Sequence, residues 1–403
     1  MLGRELDLDV TNIAHGGISV ARHDGRVIFV SDAIPGETVR ARITEDSKKS
    51  FWRADTVTVL KPSEFRQPHV WSAASIDRDP LDRPGGAEFG HIIIDHQREL
   101  KRRVLADSLK RMAGVESDVT VEPLPGNADG TGWRTRVRLQ VDADGMPGPF
   151  AARSHRVIDV EDLPLATAAV QEAAPLGQRF PGEEHIEVLE PSSGGARLIV
   201  GRQKPTVLRE RVGDREFRVD DGGFWQVHRA AAETLTSAVQ GAIDDALFDP
   251  RAKNLDLYGG VGLLAAAVGD RFGSTTRITS VESDPRATEH AGENLIDWLG
   301  ARAVTARVER WITQLLASGE NLIGATVILD PPRAGAGEEV VTALGALKPE
   351  QIVYVACDPV ALARDVGLFA ERGYALAGLR GFDLFPNTHH VEAVARLTRV
   401  GPR

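Results

Sequence analysis

Over its first sixty or so positions the chain alternates apolar and polar residues in short runs. LDVTNIA, ISVAR, RVIFV, TVRARIT and ADTVTVL each read as β-strand. His15-Gly16-Gly17, Asp24-Gly25 and Pro35-Gly36 punctuate them as turns. Short strands at that density predict a small closed barrel of the oligonucleotide-binding type over residues 1–61. Residues 62–87 carry Pro, Asp, Arg and Gly without periodicity and read as a connector. Helical spacing follows from about 91 to 113, with Leu100, Val104, Leu105, Leu109 and Met112 on one side. Its Arg and Lys residues form a charged face of the kind that is usually solvated, or that faces RNA. Strand-like runs return between 118 and 220, in WRTRVRLQVDADG, RLIVGR and REFRVDDGG, so residues 62–221 are expected to hold the connector, a helix and a mostly β middle domain.

After about 222 the pattern changes. NLDLYG, RITSVES, ATVILD and QIVYVAC are apolar strands separated by helix-like segments, as in a doubly wound parallel sheet. The expected fold class is α/β: a small N-terminal β-barrel, a mostly β middle domain, and a Rossmann-like domain over 222–403.

Composition adds limits. The 403 residues are 42% hydrophobic and 26% charged, a globular balance that calls for two or three domains. No apolar run reaches membrane-span length, and the N-terminus lacks a basic head followed by an apolar stretch. The expectation is a cytoplasmic monomer. A net charge of −10 argues against a basic coat but leaves room for a local basic groove. Lys48-Lys49-Ser50-Phe51-Trp52-Arg53 combines basic and aromatic groups, and reads equally as a nucleic-acid surface or as a solvated loop ending in a core tryptophan. The single cysteine, Cys357, excludes an internal disulfide and a thiolate-rich metal site.

At the end of the first strand after 222, Tyr258 runs into Gly259-Gly260-Val261-Gly262. Glycines between a strand and a helix let backbone amides approach a ligand, and Glu282, ending the next strand, suits a ribose hydroxyl pair. These residues indicate a nucleoside cofactor without choosing between a nicotinamide and S-adenosylmethionine. The choice comes from Asp330-Pro331-Pro332-Arg333, which places a carboxylate at the carboxyl edge of the sheet on a loop stiffened by two prolines. Methyltransferases acting on nucleobases or amino groups carry such a loop there, and a dehydrogenase has no need of one.

Cys357 follows directly on the strand QIVYVA, so it falls at the same edge as Asp330. Glu392 opens the last apolar strand, after His389 and His390, which read as surface or structural histidines. A thiolate and a carboxylate suit one particular chemistry. Carbon 5 of uracil is a weak nucleophile until a thiolate adds to carbon 6 and makes an enolate. Sulfur adds readily and also leaves readily. A base must then remove the carbon 5 proton, and a carboxylate within reach can do so.

The chain resembles the RNA uridine-5-methyltransferases that act on tRNA and 23S rRNA. AHGGISVARHDGRVIFVSDAIPGETVRARI resembles a TRAM domain, and FWQV, DLYGGVG, ILDPPR, YVACDP and FPNTHHVEAVARL resemble later family motifs in order. The resemblance implies Gln226, Tyr258, Glu282 and Asp330 at S-adenosylmethionine, Phe224 beside the target base, Cys357 as nucleophile and Glu392 as base. It also implies an RNA partner. Three departures stand out. Pro68 to Gly90 has no cysteine where many members bind an iron–sulfur cluster, so no cluster is expected. Asp358 stands where Asn usually follows the cysteine, and an ionised Asp358 would raise the thiol pKa. His228 stands in place of Asn. Two rival readings remain: a noncatalytic RNA-binding protein on a methyltransferase fold, and a methyltransferase for an adenine or protein nitrogen, which leaves Cys357 without a task.

Overall fold

The computed structural model describes residues 1–400, so the last three residues of the expected C-terminal unit lie outside it. β1 (Glu5–Ala14), β2 (Ile18–His23), β3 (Arg26–Ser31), β4 (Thr38–Glu45) and β5 (Phe51–Lys61) close into a barrel in the order β1-β2-β3-β5-β4. Alternation is the cause: Leu8, Val10, Ile28, Val30, Val39, Ala41 and Ile43 point inward and fill it. Lys48 and Lys49 are exposed between β4 and β5, while the half-buried Trp52 ring lies under the Arg26 guanidinium at 4.4 Å.

The segment after the barrel is ordered by a buried cation in place of apolar periodicity. Arg83 is 3% exposed and donates to the Asp32 carboxylate and to the carbonyls of Thr56, Ile76 and Arg78. It pins the connector to the barrel wall. Then come α1 (Ile94–Ala113), β6 (Val121–Pro123), β7 (Arg136–Val141), β8 (Pro147–Gly148), α2 (Ala168–Ala173), β9 (His185–Leu189) and β10 (Arg197–Val200). The strands β10-β9-β7-β8 form a four-stranded antiparallel sheet whose apolar face packs on Trp71, Trp133 and Leu163. A hairpin of β11 (Val207–Val212) and β12 (Arg215–Asp220) leads into α3 (Ala231–Ala242).

The remaining elements alternate: β13 (Asn254–Leu257), α4 (Leu263–Phe272), β14 (Ile278–Glu282), α5 (Pro285–Asn294), β15 (Ala301–Thr305), α6 (Val308–Ala317), β16 (Thr326–Leu329), α7 (Gly337–Leu347), β17 (Gln351–Ala356), α8 (Pro359–Ala370), β18 (Tyr374–Asp383) and β19 (Glu392–Arg399). They build an eight-stranded sheet in the order β15-β14-β13-β16-β17-β19-β18-β6. β13 to β17 are parallel, and β19 alone runs against its neighbours. Residues 62–221 contribute to this body as well. α1 packs on α8, and β6 adds a parallel edge strand beside β18.

The charged face of α1 is only partly solvated. Lys101 is wholly buried and donates to Asp383 at 2.5 Å and to the Phe385 carbonyl at 3.0 Å. Burial works against its charge, and the Asp383 carboxylate sustains it. One turn earlier, Gln97 exchanges hydrogen bonds with the side chain and backbone of Asn387, both at 2.8 Å. α1 therefore anchors the loop between β18 and β19. Removing the Lys101 amine leaves the buried Asp383 charge with only the longer Arg98 contact at 3.3 Å, so Lys101→Met is expected to destabilise the protein by roughly 3 kcal/mol. Arg103→Met, at the half-exposed pair with Glu99, should change stability by less than about 0.5 kcal/mol. Thermal and urea unfolding of both variants check the contrast.

Candidate active site

Parallel strands end in loops along one rim, and ligands of such sheets lie there. At this rim a cavity of about 800 Å3 is lined by Phe224, Gln226, Tyr258, Glu282, Asp330, Cys357 and Glu392, the seven residues given a cofactor, base or catalytic role from the sequence.

Its nucleoside side is built by β13 and β14. Gly259 permits the turn, since a Cβ there would lie 2.0 Å from Ser280 Oγ and 2.6 Å from Asp256 Oδ2. Tyr258 takes a left-handed φ of 62° and donates its hydroxyl to Glu309 at 3.2 Å. Glu282 accepts from the amides of Gly260 at 3.2 Å and Asp284 at 2.8 Å, which fixes the carboxylate before any ligand arrives. The loop bearing Phe224 and Gln226 is gripped twice: Arg136 donates to the Asp221 and Gly223 carbonyls, and Arg286 and His290 hold the Asp220 carboxylate. Phe224 is 74% exposed at the mouth.

The chemical side is built by β16, β17 and β19. Asp330 ends β16, and the loop after it is stiffened by a buried network as well as by its prolines: Tyr354 Oη donates to Asp365, which also accepts from the Ala336 amide. Cys357 directly follows β17. Because β19 runs antiparallel, the register that pairs Ala356 with Ala393 brings Glu392 beside Cys357 at the next step. Arg134, Arg333 and His390 complete this wall, with Arg333 Nη2 3.4 Å from His390 Nε2.

The electrostatics are unusual for a surface cleft. Burial, reinforced by the Asp256 charge, pushes the Asp330 carboxyl up to about 7. Burial and then Asp330 push Glu392 well above the ordinary carboxyl range. Burial, followed by Glu392 and Asp330, pushes the Cys357 thiol up to about 12, with Arg333 opposing. Burial is the first cause for all three groups, and the neighbouring carboxylates add to it. The carboxyl groups of Glu282, Asp330 and Glu392 on its lining fit a cationic nucleoside such as S-adenosylmethionine.

His228 has a structural place. It is buried, stacks on Trp133 at 5.5 Å and accepts from the Ala230 amide at the start of α3, and burial lowers its pKa to about 4. His389 reaches Glu88, whereas His390 lines the cavity, so the pair does not share one role. Sequence reasoning missed Arg134, Glu88 and His390. Arg333 was visible directly after the Pro-Pro step, but Arg134 and Glu88 reach the site from the distant middle segment with no motif to mark them. Among the described residues, no group of three or more His, Cys, Asp or Glu is arranged to hold a metal ion.

Comparison with known proteins agrees with this geometry. Residues 1–51 match the TRAM domain model, and residues 318–400 match the model described as tRNA (Uracil-5-)-methyltransferase. A Streptomyces avermitilis protein named as an uncharacterized RNA methyltransferase is 38% identical, the alignment covering 98% of each chain. A Shewanella sediminis 23S rRNA (uracil(1939)-C(5))-methyltransferase is 28% identical over 98% of this chain and 96% of its own. The crystal structure of Pyrococcus abyssi tRNA (uracil-54, C5)-methyltransferase with S-adenosyl-L-homocysteine shares the fold, with a TM-score of 0.72 at 22% identity over 98% of this chain and 100% of that one. With its N-terminal barrel, its parallel sheet and its thiol and carboxylates on one rim, the chain belongs to the TRAM-domain-containing RNA (uracil-5-)-methyltransferase family.

Proposed function

We propose that the protein methylates carbon 5 of a uridine in tRNA or rRNA through a covalent bond between Cys357 and carbon 6 of the base. The observation that carries this reading is the register placing Cys357 beside Glu392 at the rim where Asp330 also ends. S-adenosylmethionine supplies the electrophilic methyl group and a sulfonium charge when bound.

The roles of the side chains follow from their places. Gln226, Tyr258, Glu282 and Asp330 hold the cofactor, with Glu282 directed at the ribose hydroxyls. Phe224, exposed at the mouth, offers a flat face to a uracil swung out of its stack. A positive charge set beside Asp330 opposes the burial and the carboxylate repulsion that raise these groups, so the carboxyls and the thiol ionise more readily. Cys357 Sγ then bonds to carbon 6 and carbon 5 takes the methyl group. Glu392 removes the carbon 5 proton as the carbon–sulfur bond breaks, which returns the thiolate and frees the methylated base. In this division of labour residues 1–61 grip RNA, residues 62–221 frame the base, and residues 222–403 carry the chemistry. Among the described residues no helix is long and apolar enough to cross a membrane. The protein is placed in the cytoplasm as a monomer.

Cys357→Ala should reduce methyl transfer to RNA by at least about a thousandfold while S-adenosylhomocysteine affinity changes by less than about threefold. Single-turnover assays and calorimetry check both, and substantial methylation by the variant would sink the proposal. Glu392→Gln should bond to carbon 6 and transfer the methyl group yet fail to release, so a protein–RNA species stable to denaturing gel electrophoresis should build up. Asp330 ionises near pH 7, so affinity for the sulfonium cofactor should rise between about pH 6 and 8 and then level off. In Asp330→Asn that profile should be flat, as titration calorimetry across pH will show.

A further inference from the structure

The barrel touches the nucleophile's loop. Its β1–β2 turn, His15-Gly16-Gly17, reaches across to the sheet rim, where His15 Nε2 lies 2.8 Å from Asp358 Oδ2. Asp358 directly follows Cys357 and divides its oxygens. Oδ1 accepts from the amides of Val360 at 2.9 Å and Ala361 at 2.8 Å and so caps α8, which leaves Oδ2 for the imidazole. Two positions later in the same turn, Gly17 has a φ of 70°, and a Cβ there would sit 2.5 Å from His389 Cβ. One turn of the barrel is thus pressed against both the loop that holds Cys357 and the loop that leads to Glu392.

The charges facing the thiol come from several elements. Glu392 lies on β19, Asp330 and Arg333 on the loop after β16, and Asp358 on the thiol's own loop. His389 and His390 from the β18–β19 loop and Lys101 from α1 border the small space behind it together with His15. Burial and the carboxylates push the thiol up, and Arg333 opposes them. Asp358 is held ionised although burial opposes it, because His15 and the two amides bind the charged form. The same contact raises His15 above its ordinary range against the opposing effect of burial.

We propose that His15 is a positioning residue for Cys357: its imidazolium, delivered by the barrel, neutralises the Asp358 helix cap and thereby spares the neighbouring thiolate a third facing carboxylate. Attack by Cys357 then depends on the barrel being docked, and a neutral cap at 358 needs no such partner. For turnover this rests on the proposed role of Cys357, whereas thiol reactivity can be read without it.

Iodoacetamide provides that readout, since the chain has one cysteine and the reaction forms one carbon–sulfur bond and expels iodide. Logarithmic rates should climb with pH for a weakly acidic thiol. Below its raised pKa His15 is charged and assists, and above it the assistance is lost. Wild-type protein should therefore show a shallow segment just above pH 6.5. His15→Gln should lose this feature, react about 3–10-fold more slowly at pH 6, and rejoin wild type near pH 9. Adding Asp358→Asn to His15→Gln should restore the pH 6 rate to within about twofold of wild type. Superimposable wild-type and His15→Gln profiles, or a defect that Asp358→Asn leaves in place, would overturn the proposal. Single-turnover methylation at pH 6 should rank the three proteins in the same order. If alkylation follows the expectation and methylation does not, the positioning role of His15 stands and the role given to Cys357 in methyl transfer falls.

Discussion

An antiparallel strand set beside a parallel one brings its beginning to its neighbour's end. In this protein Cys357 directly follows β17 and β19 begins at Glu392, and the strands' pairing places both groups on the rim that the parallel strands already reserve for ligands. Had β19 run parallel, Glu392 would lie at the opposite edge of the sheet, about 20 Å away. Much of the remaining structure secures this juxtaposition. The Asn387 contacts with Gln97 hold the β18–β19 loop, and the Asp365 network holds the loop after β16. The Lys101–Asp383 pair ties the end of β18 to α1.

Burying acids together has a cost that protonation lowers. With burial and Asp330 acting on Glu392, and burial, Glu392 and Asp330 acting on Cys357, the resting base and thiol keep their protons. This is a useful condition for the only thiol in the chain, because a permanently ionised cysteine invites oxidation. Added positive charge favours ionisation, and a sulfonium donor and a barrel imidazole are two sources of it beside Arg333, one brought as a ligand and the other built into the fold.

Local signals made much of this legible in the sequence. Alternation marked the barrel strands, and strand-end residues marked Glu282, Asp330, Cys357 and Glu392, because in a parallel sheet the end of a strand is also a location in space. What escaped was held by single long-range polar contacts. Arg83 orders the connector through hydrogen bonds to carbonyls, which leave no periodicity to read. Lys101 looked like one more charge on a solvated helix face, and only the approach of β18 shows that it is buried. Asp358 could be read as a charge that hinders the thiol, but its neutralising partner lies in another part of the chain.

The central claim is that sulfur and base are covalently joined during methyl transfer. RNA carrying 5-fluorouridine at the target position tests it most directly, because fluorine cannot be removed as a proton and the joined species cannot resolve. After incubation with S-adenosylmethionine and digestion by protease and nuclease, mass spectrometry should find the peptide containing Cys357 enlarged by one methylated fluorouridine nucleotide. Finding that peptide unmodified while the methyl group has moved to the RNA would contradict the account.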